Sequence, residues 1–214
     1  MSRNKHPEIT VNRILDSATR LFFEQGYEKT TIQDIVNDLD GLSKGAIYHH
    51  FASKEEIIEE VSKRLHQELS VENLFKGREA ELTGLEKLKE VCLFSMNNLE
   101  QREWMKALPD FFSNPKFLAQ QVRESVKDFA PLLIPLIQEG VDDGSVTVAY
   151  PKEAAEVMLL LMNIWVNPLV FRVRKEEYTR KIQFLKMLLD QTGLPVMDEN
   201  VMQAALSYKE FLED

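Results

Sequence analysis

Cysteine is almost absent from this sequence. The 214 residues include one, Cys92, so no disulfide can form within the chain, and the composition suits a reducing compartment. Glycine and proline are also scarce, at eight residues each, which favours long helices over a turn-rich sheet protein. One long uncharged stretch, 157–171, is too short to span a bilayer and contains Asn163 and Pro168. We therefore expect an all-α cytoplasmic protein that has no membrane partner.

Positive charge is in deficit, and it is unevenly placed. The net charge of −9 argues against a protein that coats nucleic acid without selection. Residues 1–54 hold seven basic and seven acidic side chains, whereas residues 55–214 carry the whole acidic excess. All four histidines lie in the first third of the chain. A neutral head on an acidic body indicates two functions in one polypeptide.

The head contains the pattern of three short helices. Apolar residues recur at helical spacing from about Glu8 to Gln25, and Gly26 would end that helix. Thr30, followed three residues later by Gln33, forms a capping-box pattern for a second helix. Ser43 would cap a third, over 44–50. Two short helices joined by a tight turn are the elements of a helix-turn-helix, although a plain helical hairpin with a solvated polar face has the same periodicity.

The rest of the chain shows longer helical patterns. Helices are predicted over about 54–65, 85–105, 115–129, 131–139, 151–172, 175–191 and 198–211. Residues 146–150 alternate weakly and would be extended, but five residues do not make a sheet. Val157 to Val166 is apolar nearly all round, which fits either a central core helix or a helix between a pocket and a partner.

Three segments of the head carry a family resemblance. They are Phe-Phe-Glu-Gln-Gly-Tyr (22–27), Thr-Thr-Ile-Gln-Asp-Ile (30–35) and Leu-Ser-Lys-Gly-Ala-Ile-Tyr-His-His-Phe-Ala-Ser-Lys-Glu-Glu (42–56). In this order and spacing they closely resemble the TetR family of transcriptional repressors. The turn Leu39-Asp40-Gly41-Leu42-Ser43 is one residue longer than the family's usual Ala-Gly-Val-Ser, and we expect Asp40 and Gly41 to accommodate the insertion.

The resemblance implies an architecture and a function. Residues 1–53 would form a three-helix DNA-binding domain, with the helix-turn-helix at about 30–51. Residues 54–214 would form a larger helical domain for effector binding and dimerisation. The implied protein is a ligand-responsive repressor that binds a palindromic double-stranded DNA operator as a homodimer, through the helices around 157–166 and 178–189. It would need no cofactor and no metal, since adjacent His49 and His50 diverge by about 100° on a helix.

The resemblance also implies roles for individual residues at the DNA. Lys44, Gly45 and Ala46 would lie nearest the base edges, with Lys44 donating to guanine. Phosphate contacts would come from the remaining residues of this set: Thr30, Thr31, Ser43, Tyr48, His49, His50 and Lys54. For Thr30 and Ser43 the alternative is that they only cap their helices.

Flexible and aromatic side chains suggest where an effector would bind. A small apolar effector would contact Met96, Trp104, Met105, Phe112, Phe129, Met158, Met162 and Trp165. At helical spacing, the same residues also fit an ordinary core. Acidic residues near these side chains are also compatible with a cationic effector.

Two other classes of function are alternatives to a ligand-responsive repressor. The chain has no glycine-rich phosphate loop, no zinc-ligand spacing and no nucleophile elbow, so we do not expect an enzyme. A protein that binds no effector and only scaffolds DNA or protein partners would differ by having a closed core in place of the pocket.

Overall fold

The computed structural model describes residues 7–67, 74–107 and 115–212, and every regular element in those ranges is helical. The elements are α1 (Pro7–Gln25), α2 (Ile32–Asp38), α3 (Lys44–His50), α4 (Lys54–Gln67), α5 (Gly84–Met96), α6 (Leu99–Ala107), α7 (Pro115–Glu124), α8 (Ala130–Asp142), α9 (Pro151–Leu160), α10 (Lys175–Gln191) and α11 (Glu199–Ser207). Two π-helical turns, Ser125–Phe129 and Leu161–Trp165, and a 3-10 turn, Tyr208–Phe211, extend them. The all-α expectation is confirmed.

The chain divides into two compact units. The first comprises Met1–Leu69 and Glu100–Phe111, and the second comprises Ser70–Leu99 and Phe112–Asp214. Within the described ranges no helix is both long enough and apolar enough to cross a bilayer.

The first unit is organised around apolar side chains that α1 to α4 each contribute. Fully buried members are Ile14, Ala18, Phe22, Ile35, Ile47, Ile57 and Ile58. Because α2 and α3 are each only two turns long, their stability depends on this burial rather than on helix propensity. The core therefore holds both short helices in place on α1 and α4.

The start of α2 differs from the sequence prediction by one residue. Thr31, not Thr30, is the N-cap, and its hydroxyl accepts a hydrogen bond from the Asp34 N–H while the Asp34 carboxylate accepts from the Thr31 N–H. The predicted Thr30–Gln33 capping box is wrong, because Thr30 is used inside the preceding turn. Between α2 and α3 the chain reverses at Gly41, whose φ of 82° is readily adopted only by glycine.

The second unit has a larger core, centred on α5, α8, α9 and α10. Its fully buried side chains include Leu88, Ile137, Met158, Leu185, Leu194 and Val201. Tyr178 is also buried there, and its hydroxyl donates to the Ala205 carbonyl at 2.9 Å, which ties α10 to α11. A polar group inside this core is thus hydrogen-bonded, as burial requires.

Helix α5 begins where it contacts α8, and residues remote in sequence satisfy its first N–H groups. Gly84 N–H donates to the Asp143 carboxylate at 2.8 Å, and Leu85 N–H donates to the Ser145 hydroxyl at 3.3 Å. Thr83 and Glu86 complete a capping box. The backbones approach so closely that a Cβ on Gly84 would overlap the Leu136 carbonyl and the Gly140 backbone.

One predicted helix boundary is absent. The sequence predicted separate helices over 115–129 and 131–139, because proline usually starts or stops a helix. Instead α7, the π turn Ser125–Phe129 and α8 form one helical run from Pro115 to Asp142. In the π turn the Ala130 N–H donates to the Ser125 carbonyl five residues back. This wider turn immediately precedes Pro131, so the helix passes the proline without ending.

Two other predicted helices are too long. The prediction over 85–105 is wrong because α5 ends at Met96, with Asn97 as its C-cap, and α6 starts at Leu99. The prediction over 151–172 is wrong because helical structure stops at Trp165. There the Asn167 side chain accepts from the Leu169 N–H at 2.9 Å and stabilises a turn around Pro168. Helix α10 matches its predicted bounds.

The approach of α5 to α8 predicts the effect of adding one methyl group. Gly84→Ala would force backbone against backbone, and we expect it to lower the free energy of unfolding by about 1–3 kcal/mol or more. Gly45→Ala is the matched control, because a Cβ there meets only the Ser43 hydroxyl, 3.9 Å away. The control should be neutral or slightly stabilising in urea unfolding; equal behaviour of the two variants would contradict the close approach.

Candidate functional site

Helix α3 presents a contiguous polar surface. Lys44, Gly45, Tyr48 and His49 are exposed, and Ala46 and His50 are partly exposed. On its opposite side Ile47 is fully buried, and Phe51, which ends the helix, is 5% exposed. The helix therefore has one face held by the core and one face available to a partner.

Two hydroxyl groups lie at helix starts beside this surface. The exposed Ser43 hydroxyl accepts from the Ala46 N–H at 3.2 Å and caps α3. The exposed Thr31 hydroxyl caps α2 and also donates to the Asp34 carboxylate at 2.8 Å. Both side chains thus fix the start of a helix while remaining accessible from outside.

Thr30 is placed differently from the other predicted contact residues. Its side chain is fully buried, and its hydroxyl donates to the Gly26 carbonyl at 2.8 Å. The Gln25 amide in turn donates to the Thr30 hydroxyl at 3.3 Å. Thr30 therefore belongs to the interior of the turn between α1 and α2.

Lys54 also points inward. Its ammonium donates to the Tyr27 carbonyl at 2.6 Å and lies 4.0 Å from the centre of the Tyr27 ring. Burial lowers the pKa of Lys54, and the nearby carboxylates of Glu28 and Glu55 offset part of that effect. The sequence placed this ammonium at a phosphate, because helix position alone does not show which way a long side chain folds.

A polar cluster that the sequence analysis missed fixes α2 on α1. The Asp38 carboxylate accepts from the Ser17 hydroxyl at 2.5 Å and forms an ion pair with Arg20, which also contacts Glu24. The hydrogen bond from Arg20, followed by that from Ser17, lowers the pKa of Asp38. The i to i+4 spacing of Arg20 and Glu24 was visible in the sequence, but the longer contact to Asp38 depends on the fold.

The predicted effector residues fall into three groups. Met96, Phe129, Met158, Met162 and Trp165 all lie in the second unit. Met158 is fully buried in the core, whereas the other four are partly buried. Met105 is buried but belongs to the first unit. Phe112 lies outside the described residues, as does the Trp104 side chain.

A polar contact joins the two π turns of the second unit. The Asn163 amide donates to the hydroxyl of Ser125, which is fully buried, at 3.2 Å. Phe129 is in the same π turn as Ser125, and Met162 and Trp165 are in the same π turn as Asn163. Three of the predicted effector residues therefore belong to the two turns that this hydrogen bond joins. Helices often contain such turns at functional sites.

Large apolar side chains are exposed on both α9 and α10, and we refer to them together as an apolar surface. Val157, Phe184 and Met187 are each about half exposed, at 49%, 49% and 45%. The Phe184 ring packs edge-on against Trp165 at 5.9 Å between centres. Lys181 lies over the same Trp165 ring at 4.9 Å and donates to the Trp165 carbonyl. Large side chains are thus held in position at a surface where they remain open to solvent.

Comparison with known proteins assigns both parts of the chain to one family. Residues 14–61 match the family described as "Bacterial regulatory proteins, tetR family", and residues 95–188 match "Tetracyclin repressor-like, C-terminal domain". The chain belongs to the TetR family. The resemblance found in the head therefore extends to a recognisable C-terminal domain.

Individual TetR relatives are distant. The chain is 31% identical over 147 residues to the HTH-type transcriptional repressor KstR2 of Mycolicibacterium smegmatis. The match covers 63% of this chain and 66% of that repressor, which is just under two thirds of the repressor's length. A TetR-family regulator from Pectobacterium atrosepticum shares the fold with a TM-score of 0.62 at 19% identity, over 90% of this chain and 98% of that one. SmeT, solved as a triclosan complex, has a TM-score of 0.53 at 21% identity, over 86% and 91%.

The contacts of Asp38 predict a pH-dependent loss of stability. Asp38→Asn should lower the unfolding temperature by a few degrees at pH 7, because it removes the charged partner of Arg20. Since folding lowers the pKa of Asp38, its contribution is present above about pH 4 and disappears as the pH falls through the lower, folded-state pKa.

Thermal unfolding of both proteins across pH 7 to 3 checks this. The difference between wild type and Asp38→Asn should narrow on acidification. Asp40 is exposed and makes none of these contacts, so Asp40→Asn is the control. Its unfolding temperature should equal that of the wild type at each pH. A difference that stays constant down to pH 3 would contradict the role of the carboxylate.

Proposed function

We propose that this protein is a DNA-binding transcriptional regulator, most simply a ligand-responsive repressor that binds a palindromic operator as a homodimer. The observation that carries the proposal is the construction of α3: its exposed face is small or hydrogen-bonding, and its other face is anchored by Ile47. A helix with this division fits the major groove of DNA. The family membership and the repressor relatives support the same function.

Each residue of the exposed surface receives a role. Lys44 would donate to a base edge, and Gly45 and Ala46 would allow close approach to the bases. Thr31, Ser43, Tyr48, His49 and His50 would contact phosphates. Thr30 receives no role at the DNA because it is buried. The two heads of a dimer would read half-sites roughly 34 Å apart.

The domain assignment follows from these roles. We propose that residues 1–53 form the DNA-binding domain and that 54–214 provide effector binding and dimerisation. A regulator of this kind works in the cytoplasm, and the proposal needs no cofactor, metal or catalytic step.

Lys44 provides the direct test of base reading. Lys44→Ala should cost about 1–3 kcal/mol on an operator and much less on a scrambled duplex, because the lost contact is sequence-specific. A palindrome taken from the DNA beside the protein's own coding region supplies the operator. Fluorescence anisotropy over a salt series gives both affinities.

Lys152→Ala is the control for Lys44→Ala, since Lys152 is likewise an exposed lysine but lies in the second unit. It should leave both affinities unchanged. Lys44→Ala could instead lower the affinity for operator and scrambled DNA equally and reduce the slope of log affinity against log salt by about one. That result would show that Lys44 contacts a phosphate and not a base.

We assign dimerisation to the apolar surface of α9 and α10. Phe184 and Met187 are three residues apart and so lie on the same side of α10. Contiguous exposed apolar side chains of this size mark interaction sites, and homodimer interfaces are among the more apolar ones. No charged residue lies from Val157 to Phe171, which also suits an interface between two copies of the chain.

A single buried charge should prevent this association. Phe184→Glu should convert a dimer into a monomer at micromolar concentration, because the carboxylate would lose its hydration in the interface. Leu132→Glu changes a residue of similar exposure, 47%, on α8 and should remain dimeric. Sedimentation analysis measures both; a monomeric wild type, or dissociation by the control alone, would contradict the assignment.

We propose the region around the two π turns as the effector site. Phe129, Met162 and Trp165 offer adaptable apolar contacts, and Met96 is a further partly buried candidate in the same unit. The Asn163–Ser125 pair would supply a hydrogen-bonding group within this region. The triclosan complex of SmeT, a protein of the same fold, supports a small, largely apolar ligand. Binding would weaken operator affinity through a coupling of about 1–3 kcal/mol.

A further inference from the structure

We propose that Lys54 is a positioning residue, which orients α3 by closing the helix-turn-helix into a loop and does not contact DNA phosphate. This inference rests on the proposed DNA-binding function. It concerns the groove formed by the Tyr27 carbonyl and ring, which we call the Tyr27 seat.

The Tyr27 seat holds the ammonium from two directions. The carbonyl accepts from Lys54 Nζ at 2.6 Å, and the ring centre lies 4.0 Å from the same nitrogen. Tyr27 itself is 6% exposed and packs edge-on against the buried Phe22, at 5.3 Å between ring centres. Because the ring is fixed by the core, the position of the ammonium is fixed as well.

The position of these two residues along the chain gives the contact its consequence. Tyr27 lies in the turn that precedes α2, and Lys54 is the first residue of α4, which follows α3. One contact, spanning 27 residues, therefore closes the complete helix-turn-helix at both ends. The orientation of α3 then depends on how precisely those ends meet.

The turn beside the seat transmits this restraint to α2. The Tyr27 carbonyl accepts from the Thr30 N–H at 3.2 Å as well as from Lys54, and the Thr30 hydroxyl donates to the Gly26 carbonyl. The next residue, Thr31, is the N-cap of α2. Lys54 and the Thr30 N–H thus share the Tyr27 carbonyl, and the peptide bond after Thr30 leads directly to the N-cap of α2, the helix that packs against α3.

A phosphate contact would compete with this arrangement. An ammonium has three N–H groups, of which one bonds the carbonyl while the ring covers another side. Hydrogen bonds that involve a charged donor and cation–π contacts shielded from water are among the stronger polar interactions. Moving the ammonium to a solvated phosphate would give up both, so Lys54 should remain in the seat when DNA is bound.

Lys54→Met tests the proposal, since it keeps an aliphatic side chain and removes the charge. We expect operator affinity to fall about tenfold while affinity for a scrambled duplex changes little. The reason is that a change in the orientation of α3 removes base contacts, which contribute to operator affinity by about that factor. The slope of log affinity against log salt should stay the same. A slope reduced by about one, with equal losses on both duplexes, would overturn the proposal in favour of a phosphate contact.

Tyr27 variants show whether Lys54 acts through the seat. Tyr27→Phe keeps the ring and the carbonyl, so adding Lys54→Met should again cost about tenfold on the operator. Tyr27→Leu removes the ring and keeps the carbonyl, so in that background Lys54→Met should cost less than tenfold, by the part that the ring supplies. Losses that simply add would overturn the part of the proposal that assigns the ring a role. All titrations are made well below each variant's unfolding temperature, so that a loss of folding alone does not lower the affinity.

A spectroscopic measurement covers the case in which Tyr27→Leu does not fold. In wild-type protein labelled with ¹³Cε-lysine, the Lys54 Hε protons should be shifted upfield by the Tyr27 ring, and should stay upfield on operator binding. Their return to the ordinary lysine position on binding would overturn the proposal. If the wild type bound no duplex, the proposed function would fail, and an ordinary lysine shift in the free protein would separately show that the seat is empty.

Discussion

The carbonyl of Tyr27 is the point on which the first unit's geometry depends. It accepts from the Thr30 N–H and from the Lys54 ammonium, so a tight turn and a partly buried charge are satisfied by one group. A buried charge without such a partner is costly, and this requirement fixes where α4 can begin. Since α2 and α3 are too short to be stable alone, their arrangement depends on these fixed ends and on the buried side chains between them.

The free N–H groups at helix starts are satisfied in two ways. In the first unit Thr31 and Ser43 cap the helices that directly follow them. In the second unit Thr83 and Asp198 also cap locally, but Asp143 and Ser145 complete the start of α5 from across the fold. Local caps allow a short helix to be read from its own sequence. Remote caps require two helices to meet first, and Gly84 is the residue that lets them approach closely enough.

This difference explains which features the sequence could predict. The bounds of α10 follow from periodicity, and the polar face of α3 follows from periodicity and the local Ser43 cap, so both were predicted. The continuous helix through Pro131 depends on the wider π turn before the proline, and the early end at Trp165 goes with the turn that Asn167 stabilises. Apolar periodicity shows neither feature, and both were missed. At the candidate DNA surface the residue types were predictable. The inward direction of Lys54 was not, because its partner Tyr27 lies 27 residues away.

The pairing of charges in the head bears on how a regulator of this design would select its site. Arg20 forms ion pairs with Asp38 and Glu24, and Lys54 donates to the Tyr27 carbonyl. Residues 1–54 have no net charge, and these two cations bind groups of the protein itself. Sequence-independent affinity for DNA comes mainly from cations placed at phosphates. On the proposed function, using them internally would lower non-specific binding more than it lowers base reading by α3. For a protein that must find one operator among many competing sites, the ratio of specific to non-specific affinity matters more than either alone. An acidic chain with a neutral N-terminal segment would thus gain selectivity from the same internal contacts that hold α3.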